Sequence, residues 1–206
     1  DQIKDVLVQP DGKILIAGTF NFYDDTLAQK YARLNSDGTL DPTFNPAAVY
    51  GNFMVGIVGQ ADGKFLLFGS FTSFDGAYRQ DLARFNSDGS LDHGFNTTYS
   101  ADQEVQAVVV QPDHKILIGG YLEAYDEVPR KGLARLNTDG SLDTTFNPGA
   151  GAGVNVDEPV RCMLVQPDGK ILIGGDFHNY DGTPRPHIAR LNSDGNLDPT
   201  FDPGAG

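Results

Sequence analysis

Four Asn-x-Asp-Gly turns carry the acidic residues whose spacing comes nearest to chemistry. Asn35, Asp37 and Asp41 recur as Asn86, Asp88 and Asp92, as Asn137, Asp139 and Asp143, and as Asn192, Asp194 and Asp198. Oxygen ligands at alternating positions around a glycine are the arrangement that calcium loops use. The EF-hand version needs more acids and a distant bidentate Glu, and this pattern has neither. The competing reading is a hairpin turn in which Asn and Asp bond their own backbone. Asp37, Asp88, Asp139 and Asp194 are therefore either calcium ligands or turn formers, and no other cofactor is expected.

A second acidic set falls in loops: Asp24 and Asp25, Asp75, Asp126 and Glu127, and Asp181. Gathered on one face, these would form an acidic rim able to hold a cation or a basic partner. Taken singly, they are solvated loop tips. Arg79, Arg130 and Arg185 follow them in three copies, with Ala28 in the first, and their loop position suits contact with a ligand or partner. Arg33, Arg84, Arg135 and Arg190 differ, because Ala and an apolar residue flank each one. They are expected to form structural ion pairs with Asp41, Asp92, Asp143 and Asp198, gripping the carboxylate through two parallel bonds. Gln9, Gln60, Gln111 and Gln166 either satisfy buried backbone groups or line the mouth of a channel.

The remaining candidates are weaker. His93, His114, His178 and His187 sit at four different positions of the pattern, and only His178 and His187 share a loop, near Asp176 and Asp181. There is no Gly-x-Ser-x-Gly elbow, P-loop or dinucleotide fingerprint. The glycines of residues 149–153 precede no helix, so they read as a flexible linker. Asn96-Thr97-Thr98 is a glycosylation triplet, meaningful only in a eukaryotic secretory route.

These residues are positioned by a repeat. The segment QPDGKILIAGTF, starting at residue 9, returns at 60, 111 and 166. ARLNSDGTLDPTF, starting at residue 32, returns at 83, 134 and 189, so the copies are spaced by 51, 51 and 55 residues. The four extra residues lie in the stretch NPGAGAGVNVDEP. A single domain over residues 1–206 is expected, with repeats at approximately 1–46, 47–97, 98–148 and 149–206. In each copy a β-rich run leads into Pro-Asp-Gly and a second run. Pro presets φ, Asp bonds its own backbone and Gly takes the positive φ, which makes a hairpin. His114 replaces that Gly in the third copy and should strain or alter the turn. A third run precedes the Asn-x-Asp-Gly turn, and a short fourth run follows it. No segment sustains a helical apolar period. Each copy is thus a four-stranded antiparallel meander, and stacked meanders of this length point to an all-β propeller of four blades. It could be a closed ring or an arc of a larger one. Gly56, Ala107 and Cys162 share a small position on the first strand, where Asp5 breaks the set.

Composition narrows the partners. The net charge of −13 and pI near 4.4 repel polyanions, so nucleic acid is not an expected ligand. No apolar run approaches a membrane-spanning length, and insertion in a membrane is not expected. The lone Cys162 permits no internal disulfide.

The pattern V-x-V-Q-P-D-G-K-I-L-I-G-G-x-F, then Y-D-G, then A-R-L-N-x-D-G-S-L-D-x-T-F, resembles the delta-60 repeat family of β-propellers. The departures are His114 for Gly, Ala61 for Pro, and YDDTLAQK in the first copy, where the others keep an Arg. The resemblance implies a propeller fold found in large secreted or surface-attached bacterial proteins and in phage virions. It supplies no catalytic residues. The expectation is a non-enzymatic structural or binding module of an extracellular assembly, on a bacterial surface, in an adhesion protein or in a virion. It would meet a protein or glycan partner on one ring face, as part of a larger protein or a homo-oligomer. Two alternatives stand beside it: a propeller binding glycan or calcium through repeated loops, and a hydrolase or lyase with its site at the channel mouth.

Overall fold

A computed structural model describes residues 2–95, 101, 103–153 and 157–204. The glycosylation triplet at 96–98 lies outside the described residues. The chain divides into two compact units, Asp1–Ser100 and Ala101–Gly206, each holding two repeats. Every described element is a strand or turn, and there is no helix among the described residues.

The first repeat contains β1 (Ile3–Val8), β2 (Ile14–Gly18), β3 (Phe22–Tyr23), β4 (Thr26–Leu27) and β5 (Tyr31–Leu34). The second contains β6 (Val49–Gly59), β7 (Phe65–Phe74), β8 (Ala77–Tyr78) and β9 (Leu82–Phe85). The third has β10 (Val105–Val110), β11 (Ile116–Gly120), β12 (Ala124–Tyr125), β13 (Val128–Pro129) and β14 (Leu133–Leu136). The fourth has β15 (Val160–Val165), β16 (Ile171–Gly175), β17 (Asn179–Tyr180), β18 (Thr183–Pro184) and β19 (Ile188–Leu191).

Each repeat is an antiparallel meander with the second long strand in the middle: β1-β2-β5, β6-β7-β9, β10-β11-β14 and β15-β16-β19. The fourth strand narrows to one bridging residue, Leu40, Leu91, Leu142 or Leu197, each opposite the last residue of the strand before it. It stops there because the following Asp bonds the backbone two residues on: Thr43 N–H donates to Asp41 Oδ1 at 3.0 Å, which turns the chain away from the ladder. Between the second and third long strands, the loop folds into a small hairpin with a two-residue tip, as in Tyr23↔Thr26 and Tyr180↔Thr183.

The Pro-Asp-Gly turns behave as their chemistry demands. Gln9 N–H donates to Lys13 O at 2.8 Å and Lys13 N–H to Asp11 Oδ1 at 3.0 Å, while Gly12, Gly63 and Gly169 take φ of 83°, 83° and 82°. The third turn keeps the same shape although it lacks the glycine: His114 is held at φ 66°, so strain rather than a new turn type is the outcome. The glycine ending the second-strand motif has a different cause. A Cβ on Gly18, Gly120 or Gly175 would lie 2.1–2.2 Å from the carbonyl oxygen of Gln2, Glu104 or Pro159, where the first strand bulges toward it.

The core sits between repeats within each unit. In unit 1, Leu15 and Tyr31 of the first repeat pack with Met54, Phe65, Leu67 and Phe85 of the second. In unit 2, Leu117 and Leu133 of the third repeat pack with Val160, Ile171, Ile173 and Tyr180 of the fourth. Asp5 is accommodated because its neighbour is small. Its Oδ2 accepts the Ile57 N–H at 2.9 Å and lies 3.0 Å from where a Cβ on Gly56 would stand.

Candidate functional site

One charged cluster recurs in every repeat. Arg33 Nε donates to Asp41 Oδ2 at 2.7 Å, and the equivalent contacts are Arg84–Asp92 at 2.7 Å, Arg135–Asp143 at 2.7 Å and Arg190–Asp198 at 2.8 Å. The predicted pairing is present, but not as a two-bond fork. The guanidinium divides its donors: Arg135 Nη2 reaches Thr145 Oγ1 at 3.4 Å, and Nη1 reaches the Ser193 carbonyl of the next repeat at 2.6 Å. Arg33 likewise donates through Nη1 to the Ser87 carbonyl. The second carboxylate partner is a lysine from the first hairpin. Lys13, Lys64, Lys115 and Lys170 place Nζ 2.7–2.8 Å from the same Oδ2 atoms. The other oxygen accepts from Thr43, Thr145 and Thr200 through both N–H and Oγ1, and from the Gly94 N–H in the second repeat. Each guanidinium carbon also lies 4.5–5.0 Å above a ring, Phe44, Phe95, Phe146 or Phe201.

Burial pushes the Asp41 and Asp143 carboxyls up, but the hydrogen bonds from lysine, threonine and arginine outweigh it and hold both well below the usual carboxylate range. In Asp92 the same contest, with Lys64, Arg84 and Gly94 as donors, leaves the value at about 2. Asp198 is held low chiefly by the hydrogen bond from Lys170. These carboxylates are ionised and saturated with donors, which suits cross-linking of strands and leaves them poor bases.

The turn acids are also engaged locally. Asp37 Oδ1 accepts from Thr39 N–H at 3.0 Å and Thr39 Oγ1 at 2.7 Å. Asp88 and Asp139 do the same with Ser90 and Ser141, and Asp194 holds Asn196. Hydrogen bonds from these neighbours lower the Asp37, Asp88 and Asp194 carboxyls. These are the side-chain-to-backbone bonds of Asx-type turns. Among the described residues, no three His, Cys, Asp or Glu side chains converge as a metal-ligand set.

Asp24, Asp75, Asp126 and Asp181 occupy the first tip position of the small hairpins, at φ 47°, 47°, 50° and 47°. Two of them act as latches on the chain arriving from the preceding repeat. Asp75 Oδ1 accepts the Ala48 N–H at 2.7 Å, and Asp181 Oδ1 accepts the Ala150 N–H at 2.8 Å. Burial raises the Asp126 carboxyl. The glycine run at 149–153, read from the sequence as a flexible linker, is pinned along its length. Ala152 N–H donates to Lys131 O at 3.1 Å and Gly153 N–H to Asn179 O at 2.8 Å. Gly151 has φ 76°, and a Cβ there would stand 2.2 Å from the Lys131 carbonyl oxygen.

Arg79, Arg130 and Arg185 fold back on their own strands. Their Nη1 atoms donate to the carbonyl of the preceding residue at 2.7–2.8 Å, while Nε is buried without a protein partner. Gln9, Gln60, Gln111 and Gln166 likewise each bury an Oε1 with no protein partner. In unit 2, Gln111 and Gln166 line a groove of about 550 Å³ together with Val109, Val110, Leu164 and Val165. The His178 and His187 rings meet edge to face with centroids 5.1 Å apart, and the neighbouring Asp176 is taken by Arg161 at 2.6 Å.

A family of β-propeller domains, described as a domain of unknown function (DUF5122), matches the chain four times, over residues 9–44, 60–95, 111–146 and 166–201. The chain belongs to this DUF5122 β-propeller family. Each matched segment runs from the Gln with the buried Oε1 to the Phe beneath the guanidinium, so it contains every member of the ion cluster. No curated protein matches the sequence. Solved structures that share the fold include these three. The WD40 β-propeller domain of Doa1 is 12% identical with a TM-score of 0.52, over 84% of this chain and 47% of that one. A Bacteroides caccae protein of unknown function is 12% identical with a TM-score of 0.53, over 95% and 65%. PorZ, a surface component of the type-IX secretion system of Porphyromonas gingivalis, is 13% identical with a TM-score of 0.53, over 95% and 26%. The chain spans less than two thirds of each. At these identities the likeness establishes the propeller fold alone.

The lysine of the ion cluster is the member of this DUF5122 site that sequence reasoning missed. Its signal was present: Lys13, Lys64, Lys115 and Lys170 occupy the same place in all four copies. The repeated loop aromatics Tyr23, Phe74, Tyr125 and Tyr180 read from the sequence as fillers between blades, and the tyrosine hydroxyls among them do more than that reading gave them. Tyr125 and Tyr180 donate to the Gly140 and Gly195 carbonyls at 2.7 Å, tying the small hairpin to the Asn-x-Asp-Gly turn. Phe74 has no hydroxyl to do this in the second repeat, and Tyr31 of the first repeat reaches the Gly89 carbonyl instead at 3.4 Å.

Proposed function

We propose that this chain is a non-catalytic β-propeller module, of the delta-60 repeat type, serving a structural or binding role in an extracellular assembly on a bacterial surface or virion. The observation that carries this reading is how the repeated charges are used. In each repeat the Arg and the Lys both donate to the Asp, and the Arg of the first and third repeats also bonds to the next. Side chains spent in this way brace loops and strands, and the loops between them are left to contact a protein or glycan partner. The surface role of PorZ, which shares the fold, supports placing this chain outside the cell.

A second reading, a propeller that binds a small polar ligand, has one observation in its favour: the groove flanked by Gln111 and Gln166, whose amide oxygens have no protein partner. Purified protein should be assayed with fluorogenic ester, glycoside and phosphate substrates, and titrated calorimetrically with calcium and a glycan panel. Turnover above the protein-free control would overturn the non-catalytic reading. Saturable heat with a glycan, abolished by Gln111→Leu, would favour the ligand-binding one. Calcium heat with about four equivalent sites would favour the metal reading of Asp37, Asp88, Asp139 and Asp194.

A further inference from the structure

The small hairpins differ at one place. Arg79, Arg130 and Arg185 close them in three repeats, and Ala28 stands there in the first. In all three arginines Nε is buried, and Nη1 donates to the carbonyl of the residue before it, Tyr78, Pro129 or Pro184, at 2.7–2.8 Å. Each of these side chains is therefore laid into its own repeat. Ala28 is buried too, but it lines a cavity of about 310 Å³, with Leu27, Ala32, Leu40, Phe44 and Pro46 among the other walls. Every wall comes from residues 26–46, so the cavity belongs to the first repeat alone. The Leu27 carbonyl stands at the place where Tyr78, Pro129 and Pro184 offer theirs to an arginine.

The charges around the cavity suit a cation. Arg33 in the wall is already paired with Asp41 and lies over the Phe44 ring, as its counterparts do in the repeats that carry the loop arginine. Asp24 and Asp25 form the exposed hairpin tip, directly before the wall residue Thr26, and the first repeat has no loop arginine to offset them. The chain as a whole carries a net charge of −13.

We propose that this cavity takes the side chain of an arginine carried by a protein partner, supplied from outside at the place where the first repeat lacks its own. The apolar walls would hold the methylenes, the Leu27 carbonyl would accept from the guanidinium, and Asp24 and Asp25 would draw the cation in. Lysine suits the site less well, because its ammonium is a strongly hydrated point charge without the flat fork. This contact rests on the partner-binding role proposed above and assigns it one pocket. Turnover or glycan heat in the assays given there bears on that broader role, and the titration below bears on this pocket alone.

NMR titration of the isotope-labelled full chain tests it, with a blocked glycine-serine peptide carrying one arginine as the probe. The amides of Leu27, Ala28 and Leu40 should shift and saturate. The same peptide with lysine should bind about fivefold more weakly or worse. Free L-arginine should also bind more weakly than the peptide, since its carboxylate meets an acidic tip. Ala28→Arg should abolish the shifts while leaving the circular dichroism spectrum unchanged, because it restores the residue that the other three repeats accommodate. Ala28→Leu fills the same space without a charge and should also abolish them, so the outcome does not hang on one variant. Absence of saturable shifts at these amides overturns the proposal. So do shifts that the lysine peptide matches, shifts that survive both Ala28 substitutions, or tighter binding of L-arginine than of the peptide.

Discussion

His114 offers the cleanest perturbation of the repeat, because it alone replaces the glycine that the other three copies of the turn keep. Gly12, Gly63 and Gly169 sit at φ 82–83°, and His114 is held at 66° in a turn with the same hydrogen bonds: Gly12 N–H to Gln9 O at 2.9 Å and His114 N–H to Gln111 O at 2.9 Å. A left-handed residue with a Cβ costs about 1–2 kcal/mol. Glycine returns about 0.4–1 kcal/mol of that through the greater freedom of the unfolded chain. His114→Gly should therefore stabilise by about 0.5–1 kcal/mol, a rise in midpoint of about 1–4 °C for a chain of this size. The reciprocal Gly12→His should lose a similar amount through φ alone, since a Cβ at Gly12 meets nothing within 4 Å. His114→Ala separates the two possible causes: it keeps the strain and should gain nothing. Thermal and urea unfolding, followed by circular dichroism on all three variants, give the comparison. The reasoning fails if His114→Gly is neutral or destabilising while Gly12→His is harmless.

Other outcomes follow from the same contacts. Asp143→Asn leaves Arg135 buried without its carboxylate and should cost about 3 kcal/mol by urea denaturation; Lys115 is partly exposed, which keeps the loss at the low end for a broken buried pair. Gly151→Ala should destabilise unit 2 through both its φ of 76° and the 2.2 Å approach to the Lys131 oxygen, visible as faster hydrogen exchange at Ala152 and Gly153. The Asp92 carboxyl lies at about 2 in the folded chain, below its unfolded value near 4, so its contribution is complete above about pH 4 and disappears as pH falls through about 2. Acid unfolding of Asp92→Asn should accordingly be less steep than that of the parent over this window.

Much of the architecture was legible because turn chemistry is local. Pro-Asp-Gly and Asn-x-Asp-Gly each carry their own hydrogen-bonding side chain and their own residue at positive φ, so the strands between them were bounded before any packing was known. The pairing of Arg33 with Asp41 was legible for a related reason, since both lie within one turn of the meander. Lys13 was not, because it reaches Asp41 across 28 residues and the sheet must form before the two meet. The latches formed by Asp75 and Asp181 were hidden in the same way: a loop acid carries no local sign that its oxygen will hold the chain at the entry to its repeat, 27 and 31 residues earlier. The glycines at 149–153 misled for the opposite reason. Composition marks them as freely jointed, yet close backbone approaches and positive φ are what call for glycine there.

The most direct test of the shared ion cluster is an NMR titration of the aspartate carboxyl carbons in the folded protein. Asp41, Asp92, Asp143 and Asp198 should remain ionised well below the usual carboxylate range, with Asp92 titrating at about 2, while burial raises the Asp126 carboxyl from its ordinary value. Four carboxyls titrating together near pH 4 would show that the lysine and arginine contacts are not made, and would contradict the account of how these blades hold together.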